Sequence, residues 1–414
     1  MAYAPAHRAF YDADSHIMEL PDFLKKYADP KLRDEIPEVS YAASLVTDEE
    51  VAVIVGQGGR HSAEHIAAQI ALGDRLIESS KEIQALGAFD GADRSRALDL
   101  LGFKKQLVFA THSVALPFSP SSKITPELRY GATRAHNRHM ADFCAADPRL
   151  LGVAIIPLDE PALAIAELDA AIAAGLKAVW IPHRPPAERS PGHVDFDPFW
   201  ARLAESGTPF LLHVGGAPLQ QARAWMNNGR GLVKDWMGGG ENLRSKDIAI
   251  LHQGPETFLS VMLIDGVFER FPALRGASVE LGAGWAPSLL TRLDWVAKNW
   301  IRADKGQAPF SRKPSETLTT QMAFTPFVFE DVGTLIDQSS PELYLFSSDY
   351  PHVEGGRDPI KRFEGFLGDR GEAVREAFYA ENFLRIFPDA RVPDARVPGA
   401  RELTEPEPAA TARA

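Results

Sequence analysis

The chain has 414 residues, 45% of them hydrophobic and 24% charged, which leaves room for a sizeable core in one large α/β barrel or two ordinary domains. A formal net charge of −12 without any Lys/Arg-rich run argues against a nucleic-acid or anionic-membrane surface, and leaves a small-molecule substrate as the expected partner. The one cysteine, Cys144, excludes an intrachain disulfide and reads as a small core residue. No run approaches the ~20 apolar residues of a membrane span, and "MAYAPAHRAF" lacks a basic-then-apolar leader, so the cytoplasm is the expected location.

A first short strand is expected near residue 10, in "FYDADSHIMEL". A long polar region follows, roughly 20–104, with helical patterns such as "HSAEHIAAQIALGDRLIESSKEI". Its glycine turn "GQGGRH" matches neither GxGxxG nor GK[ST] and is no phosphate loop. The rhythm then changes. "KQLVFA" reads as a buried strand, "PELRYGATRAHNRHMADFCAADP" as a helix, "LLGVAIIPL" as a strand, and "EPALAIAELDAAIAAG" as a helix ended by Gly175. "KAVWIP", "DPFWARLAESG" and "PFLLHVGG" continue as strand, helix and strand. A glycine-rich stretch, 214–247, interrupts the alternation. "PETFLSVMLIDGVFERFP", "LRGASVEL", "APSLLTRLDWVAKNW", "TTQMAFTPF" and "LYLFSS" resume it.

Strands near 10, 105, 151, 177, 209, 274, 320 and 343 make eight βα units. They predict a (β/α)8 TIM barrel with a long insertion after strand 1 and a lid-like loop after strand 5; an open doubly wound sheet is the alternative. Residues 8–390 form the expected single domain, with 20–104 and 214–247 over the mouth, and 391–414, rich in proline and alanine, form a disordered tail. The helix "PSLLTRLDWVAKNW" has enough apolar surface for a homodimer, although packing on the barrel would use the same face.

In a barrel, the C-terminal strand ends share one mouth. The first strand ends with Asp14 and His16, two apart and so on one face. His213, Glu280 and Asp349 end the strands near 209, 274 and 343. Imidazoles and carboxylates meeting there suit one divalent ion, Zn²⁺ first, with Mn²⁺ or Fe²⁺ as alternatives. Any one of these histidines taken alone is as well read as a hydrogen-bonded structural residue; the signal is the coincidence of four strand ends. Asp12 reads as a structural partner. Glu19 either orients His16 or lies on the surface. His7, His61, His65, His136 and His139 read as surface or packing residues. Lys177 opens its strand at the opposite end, so no carboxylated lysine bridge is expected.

These segments, with "DADSHIME", "LLHVGG", "DGVFERFPALRGASVELGAGWAPSLLTRLD", "LYLFSSDYPH" and "ENFLRIF", resemble the amidohydrolase-related group that includes aminocarboxymuconate semialdehyde decarboxylase. The resemblance runs over most of 8–390 and implies a metal-dependent TIM barrel acting as a hydrolase or a non-oxidative decarboxylase. It implies that Asp14, His16, His213 and Asp349 are the metal ligands and that Asp349 also handles the proton of an attacking water. Asp14 is a variant of the group's first ligand pair. Where the decarboxylases carry a catalytic histidine, this chain has Glu280.

His252, before the helix "GPETF", is the candidate replacement for that imidazole, against a reading as a loop or cap residue. His183 and Arg184 face the mouth in this reading, with Arg184 either gripping a substrate carboxylate or held in a surface ion pair. His352 is a candidate contact to Asp349 or to substrate. Trp225, Met226, Trp236 and Met237 either line the pocket for an aromatic or lipophilic substrate or pack their own loop. Glu280 in place of a histidine favours metal-assisted hydrolysis of an amide, lactone or related carbonyl, with Asp349 as base and Glu280 or His252 managing the leaving-group proton. The alternatives are decarboxylation of an aromatic or unsaturated acid and a non-catalytic ligand-binding barrel.

Overall fold

The computed structural model describes residues 2–41, 44–79, 81–218, 223–230, 245–301 and 310–391. The first expected strand divides into two short pieces, β1 (Tyr11–Asp12) and β2 (His16–Ile17), both paired in parallel with β3 (Lys105–Ala110). The sheet continues through β4 (Leu150–Ile155), β5 (Ala178–Trp180), β6 (Phe210–His213), β7 (Gly276–Val279) and β8 (Met322–Phe324), each parallel to its predecessor. The protein is an α/β fold on a parallel, TIM-barrel-like sheet.

The run at 343–348 differs from expectation. It forms one parallel bridge, Phe324 to Tyr344, and no regular strand. Its backbone bonds go in several directions. Leu345 N–H donates to Phe324 O, Phe346 N–H to Phe378 O, and Phe346 O accepts from Ala13 N–H. Beyond it, Asp349 N–H donates to Asp14 O and His16 N–H to Tyr350 O. The segment thus links β8 to the chain around β1 and β2, and no single ladder claims it.

Strand side chains alternate between two cores, as the period of two requires. Leu107, Phe109, Val153, Ile155, Trp180, Leu211 and Val279 share one cluster. Val108, Ala154, Val179, Phe210 and Leu212 join helix residues such as Leu168, Leu203, Phe258 and Leu289 in the other. With both faces covered, the strands are predominantly apolar, and most of the polar residues they hold are buried as well.

A buried polar network fixes the base of the first strand. Arg94, on the helix Gly91–Leu101, donates from Nε to Gly87 O, from Nη1 to Gln106 Oε1 and from Nη2 to His16 O. Gln106 donates in turn to Asp12, which also accepts the Ser348 N–H and hydroxyl. Asp12 is thus a structural tie between β1, β3 and the turn leading to Asp349.

The helix Pro126–Cys144 starts where a proline at its first turn and a Thr125 cap place it. Cys144 sits on it, half-buried beside Met140, and burial pushes its thiol up to about 12. On the same helix, Asn137 clasps both backbone groups of Ile155 at the end of β4. His136 is fully buried beside it, and burial pushes its pKa down to about 4. A base with a lowered folded pKa stabilises the fold above its unfolded value of ~6.5, and that contribution is lost as pH falls toward 4. His136→Phe should flatten the acid limb of stability. In urea unfolding at pH 7 and pH 4.5, the wild type should lose about 2 kcal/mol more than the variant; equal losses would remove His136 from the acid response.

No helix among the described residues is long and apolar enough to cross a membrane. The tail beyond residue 391 and the loop residues 231–244 lie outside the described residues.

Candidate active site

Asp14, His16, His213, Glu280 and Asp349 come together: Asp14 from between β1 and β2, His16 from the start of β2, where it pairs near the C-terminal end of β3, and the others from the ends of their strands or segments. Asp14 and His16 flank Ser15, whose hydroxyl donates to Leu107 O in β3. His213 is the last residue of β6, and Glu280 follows β7 directly. Glu280 and Asp349 adopt left-handed backbone, φ +52° and +53°. That conformation costs a non-glycine residue of order 1 kcal/mol and aims both carboxylates where an ordinary strand would not. Glu280 N–H donates to Thr325 Oγ1 at 2.9 Å, which holds its turn.

The two imidazoles are oriented alike. His16 Nδ1 lies 3.0 Å from Ala110 O, and His213 Nδ1 lies 2.9 Å from Val214 O. A carbonyl accepts only, so each Nδ1 carries the proton and each Nε2 presents a lone pair. Those lone pairs face carboxylate oxygens. His16 Nε2 is 3.3 Å from Asp14 Oδ1, 3.5 Å from Asp349 Oδ1 and 3.7 Å from Glu280 Oε2. His213 Nε2 is 3.4 Å from Asp14 Oδ1 and 3.2 Å from Glu280 Oε2. Every one of these side chains is buried. Burial pushes the His16 pKa down to about 3, reinforced by His352, so no proton resides on its Nε2 at neutral pH.

Acceptor facing acceptor in a buried site repels, and a cation between them turns every contact favourable. The donor atoms of Asp14, His16, His213 and Glu280 lie within 4.8 Å of one another, and so do those of His16, Glu280, Asp349 and His352. His16 Nε2 belongs to both groups and has one lone pair, so the two groups describe one ion position. Imidazole nitrogen with carboxylate oxygen is a donor set for a divalent metal.

His352 backs Asp349. Its Nδ1 is 3.1 Å from Asp349 Oδ1, its Nε2 is 3.0 Å from Thr111 Oγ1, and its ring stacks on His16 at 3.9 Å. Burial opposes charge on His352, but Asp349, Glu82 and Glu354 hold its pKa well above the ordinary value. Burial likewise raises the Asp349 carboxyl well above the usual range, with His352 pulling the other way.

Several expected residues stand elsewhere. Arg184 grips Asp159 with both Nη atoms, at 3.0 and 2.9 Å, so its fork is filled by the protein. His252 joins neither ligand group. It sits 3.7 Å from Glu256 and lines a cavity of about 350 Å³ with Leu281, Gly282, Trp285, Phe327 and Phe329. Trp225 is 73% exposed. Trp236 and Met237 lie outside the described residues, as does the Met226 side chain. His183 is buried beyond β5.

Glu19 does not touch His16. Its carboxylate accepts the N–H groups of Thr111, His112 and Ser113, just after β3. Three backbone donors on one carboxylate fix the loop that carries Thr111 to His352. Glu19→Ala strands those donors and should cost about 3 kcal/mol in urea unfolding, with kcat falling as well. Stability unchanged to within 0.5 kcal/mol, the scale of an ordinary surface substitution, would contradict this role.

Position-by-position reading missed Thr111, Lys81 and Glu82. Thr111 follows β3 at the mouth end, so the strand-end rule could have found it. Lys81 and Glu82 come from the polar region before the barrel repeats begin. Glu82, at φ +54°, accepts the Val353 N–H, and Lys81 donates to Gly356 O. No motif marks them.

Solved structures with the same fold include an amidohydrolase from Mycobacterium avium subsp. paratuberculosis K-10, 20% identical, TM-score 0.69, covering 92% of this chain and 100% of that one. A 2,6-dihydroxybenzoate decarboxylase from Rhizobium is 16% identical, TM-score 0.58, with 92% and 99% covered. A manganese-bound 5-carboxyvanillate decarboxylase from Novosphingobium aromaticivorans is 16% identical, TM-score 0.61, with 94% and 99% covered. Comparison with curated proteins finds no match. A family model described as amidohydrolase matches residues 90–388, a span that includes His213, Glu280 and Asp349, and the chain belongs to that family.

Proposed function

We propose that this protein is a metal-dependent, non-oxidative decarboxylase of an aromatic acid, with residues 8–390 as one catalytic domain. The observation that carries the reading is the position of Glu280. In the sequence it favoured hydrolysis, as a group for the leaving-group proton. Its Oε2, 3.7 and 3.2 Å from His16 and His213 Nε2, supports a ligand role instead. With that reason gone, likeness to the 2,6-dihydroxybenzoate and 5-carboxyvanillate decarboxylases favours carboxy-lyase chemistry.

A divalent ion, Zn²⁺ or Mn²⁺ by its donor set, would be held by Asp14, His16, His213 and Glu280 with Asp349 beside them, and would act as a Lewis acid for a substrate carboxylate and an adjacent oxygen. Asp349, supported by His352, holds the proton for the ring carbon that bears the carboxylate. When that carbon is protonated, the bond to the carboxylate breaks, its electron pair returns to the ring and CO₂ leaves. Metal-assisted hydrolysis is the second reading, because the same Asp349 is placed to take a proton from an attacking water.

Metal-loaded protein given 2,6-dihydroxybenzoate, 5-carboxyvanillate and a panel of lactones and amides separates the two. CO₂ release from an aromatic acid is the expected result. Acid release from a lactone or amide, with no CO₂ from either acid, rejects decarboxylation.

A further inference from the structure

Besides Glu280 and Asp349, a third acidic residue near the site holds a left-handed backbone: Glu82, at φ +54°. Such a conformation persists only where the surrounding contacts fix it. At Glu82 those contacts run to the turn that follows Asp349. Glu82 N–H donates to Pro351 O at 2.9 Å, and Glu82 Oε1 accepts the Val353 N–H at 3.1 Å. Its neighbour Lys81 donates from Nζ to Gly356 O at 2.8 Å. Two adjacent residues thus hold three backbone groups of the turn 351–356.

The turn in turn holds Asp349. His352 N–H donates to Asp349 O at 2.7 Å, and Gly356 N–H donates to Val353 O at 3.1 Å. Gly355 packs against the same residue: a Cβ there would overlap Ser348 O and lie 3.0 Å from Asp349 Cβ. A shift of the turn therefore moves Asp349 or His352 with it. The gripping residues are themselves seated from behind. His61 Nε2 lies 3.0 Å from Ile83 O, His65 Nε2 lies 2.9 Å from Gln84 O, and the Tyr350 hydroxyl donates to Leu86 O at 2.9 Å. Residues 81–86 come from the region expected only to cover the mouth, and they act as a buttress.

We propose that Lys81 and Glu82 are positioning residues for the reaction, locking the turn that sets the Asp349 carboxylate and its His352 support. Both act through the turn, not on the substrate. The inference rests on the proton role proposed for Asp349, which decarboxylation and hydrolysis share. A reacting group misplaced by about 1 Å costs about 10²-fold in rate, so a loosened turn lowers kcat while the metal ligands stay in place.

Crystal structures of metal-loaded wild type, Glu82→Ala and Glu82→Gln test this, with metal content and thermal melting measured on each and on Lys81→Met. Alanine strips the acceptor from the Val353 N–H, and glutamine keeps one. In Glu82→Ala the Asp349 carboxylate should move by about 1 Å relative to His16, and in Glu82→Gln it should return. On whichever acid, lactone or amide of the substrate panel is turned over, kcat should fall about tenfold or more in Glu82→Ala and Lys81→Met, with KM and metal content within about threefold of wild type, and Glu82→Gln should recover it. A Glu82→Ala structure with Asp349 in its wild-type place overturns the inference, and so does a kcat within about threefold of wild type in either variant or a loss that glutamine does not recover. A fold lost in Glu82→Ala or Lys81→Met marks a purely structural role and overturns it as well. A panel without CO₂ release is a failure of decarboxylation alone, and the position of Asp349 in the variants still judges the grip.

Discussion

His213→Gln protein will leave purification without a bound divalent ion and without turnover. Glutamine keeps much of the volume of an imidazole that packs against Phe109 and Trp180, with ring centres 4.4 and 4.7 Å away, so the fold should survive. The nitrogen lone pair facing Asp14 and Glu280 is lost. Metal affinity should fall about 10³-fold or more, equivalent to about 4 kcal/mol, and activity should fall with it. Metal titration followed by an activity assay checks both. A variant that binds metal within tenfold of the wild type would take His213 out of the ligand set.

Asp349→Asn should give the second large effect, and a different one. The amide keeps the shape and one potential ligand oxygen but cannot carry the proton. Asparagine is also the side chain best suited to the left-handed backbone at this position, φ +53°, so the turn should hold. The expected outcome is a kcat about 10³- to 10⁴-fold lower, the range of a lost general acid or base, with a melting temperature close to that of the wild type. A kcat within tenfold of the wild type would assign the proton to another group.

The site was legible in the sequence to the extent that it obeys strand geometry. Asp14 and His16 share a face because a period of two says so, and this survived the break of the first strand into β1 and β2, since both pieces pair with β3. His213 and Glu280 were found as ends of apolar runs. Asp349 was found for a partly wrong reason: the run before it is a bridged segment whose backbone bonds go to β8, to Phe378 and to Ala13.

What was illegible depends on partners distant in the chain. Arg184 looked like a carboxylate clamp, and a clamp it is, but Asp159, from the loop after β4, fills it. Glu19 sits three residues from His16, yet its partners are the N–H groups of 111–113, more than ninety residues away. His252 carried the right chemistry with no strand end to place it. Glu82 reaches Val353 from a polar region whose path over the sheet no periodicity describes.

The most direct test is a crystal structure of metal-loaded protein with anomalous data collected at the metal's absorption edge. One strong peak should lie about 2.0–2.2 Å from His16 Nε2, His213 Nε2 and the Asp14 carboxylate, the distances of zinc-type coordination. A peak elsewhere, or none at saturating metal in an active protein, would contradict the account.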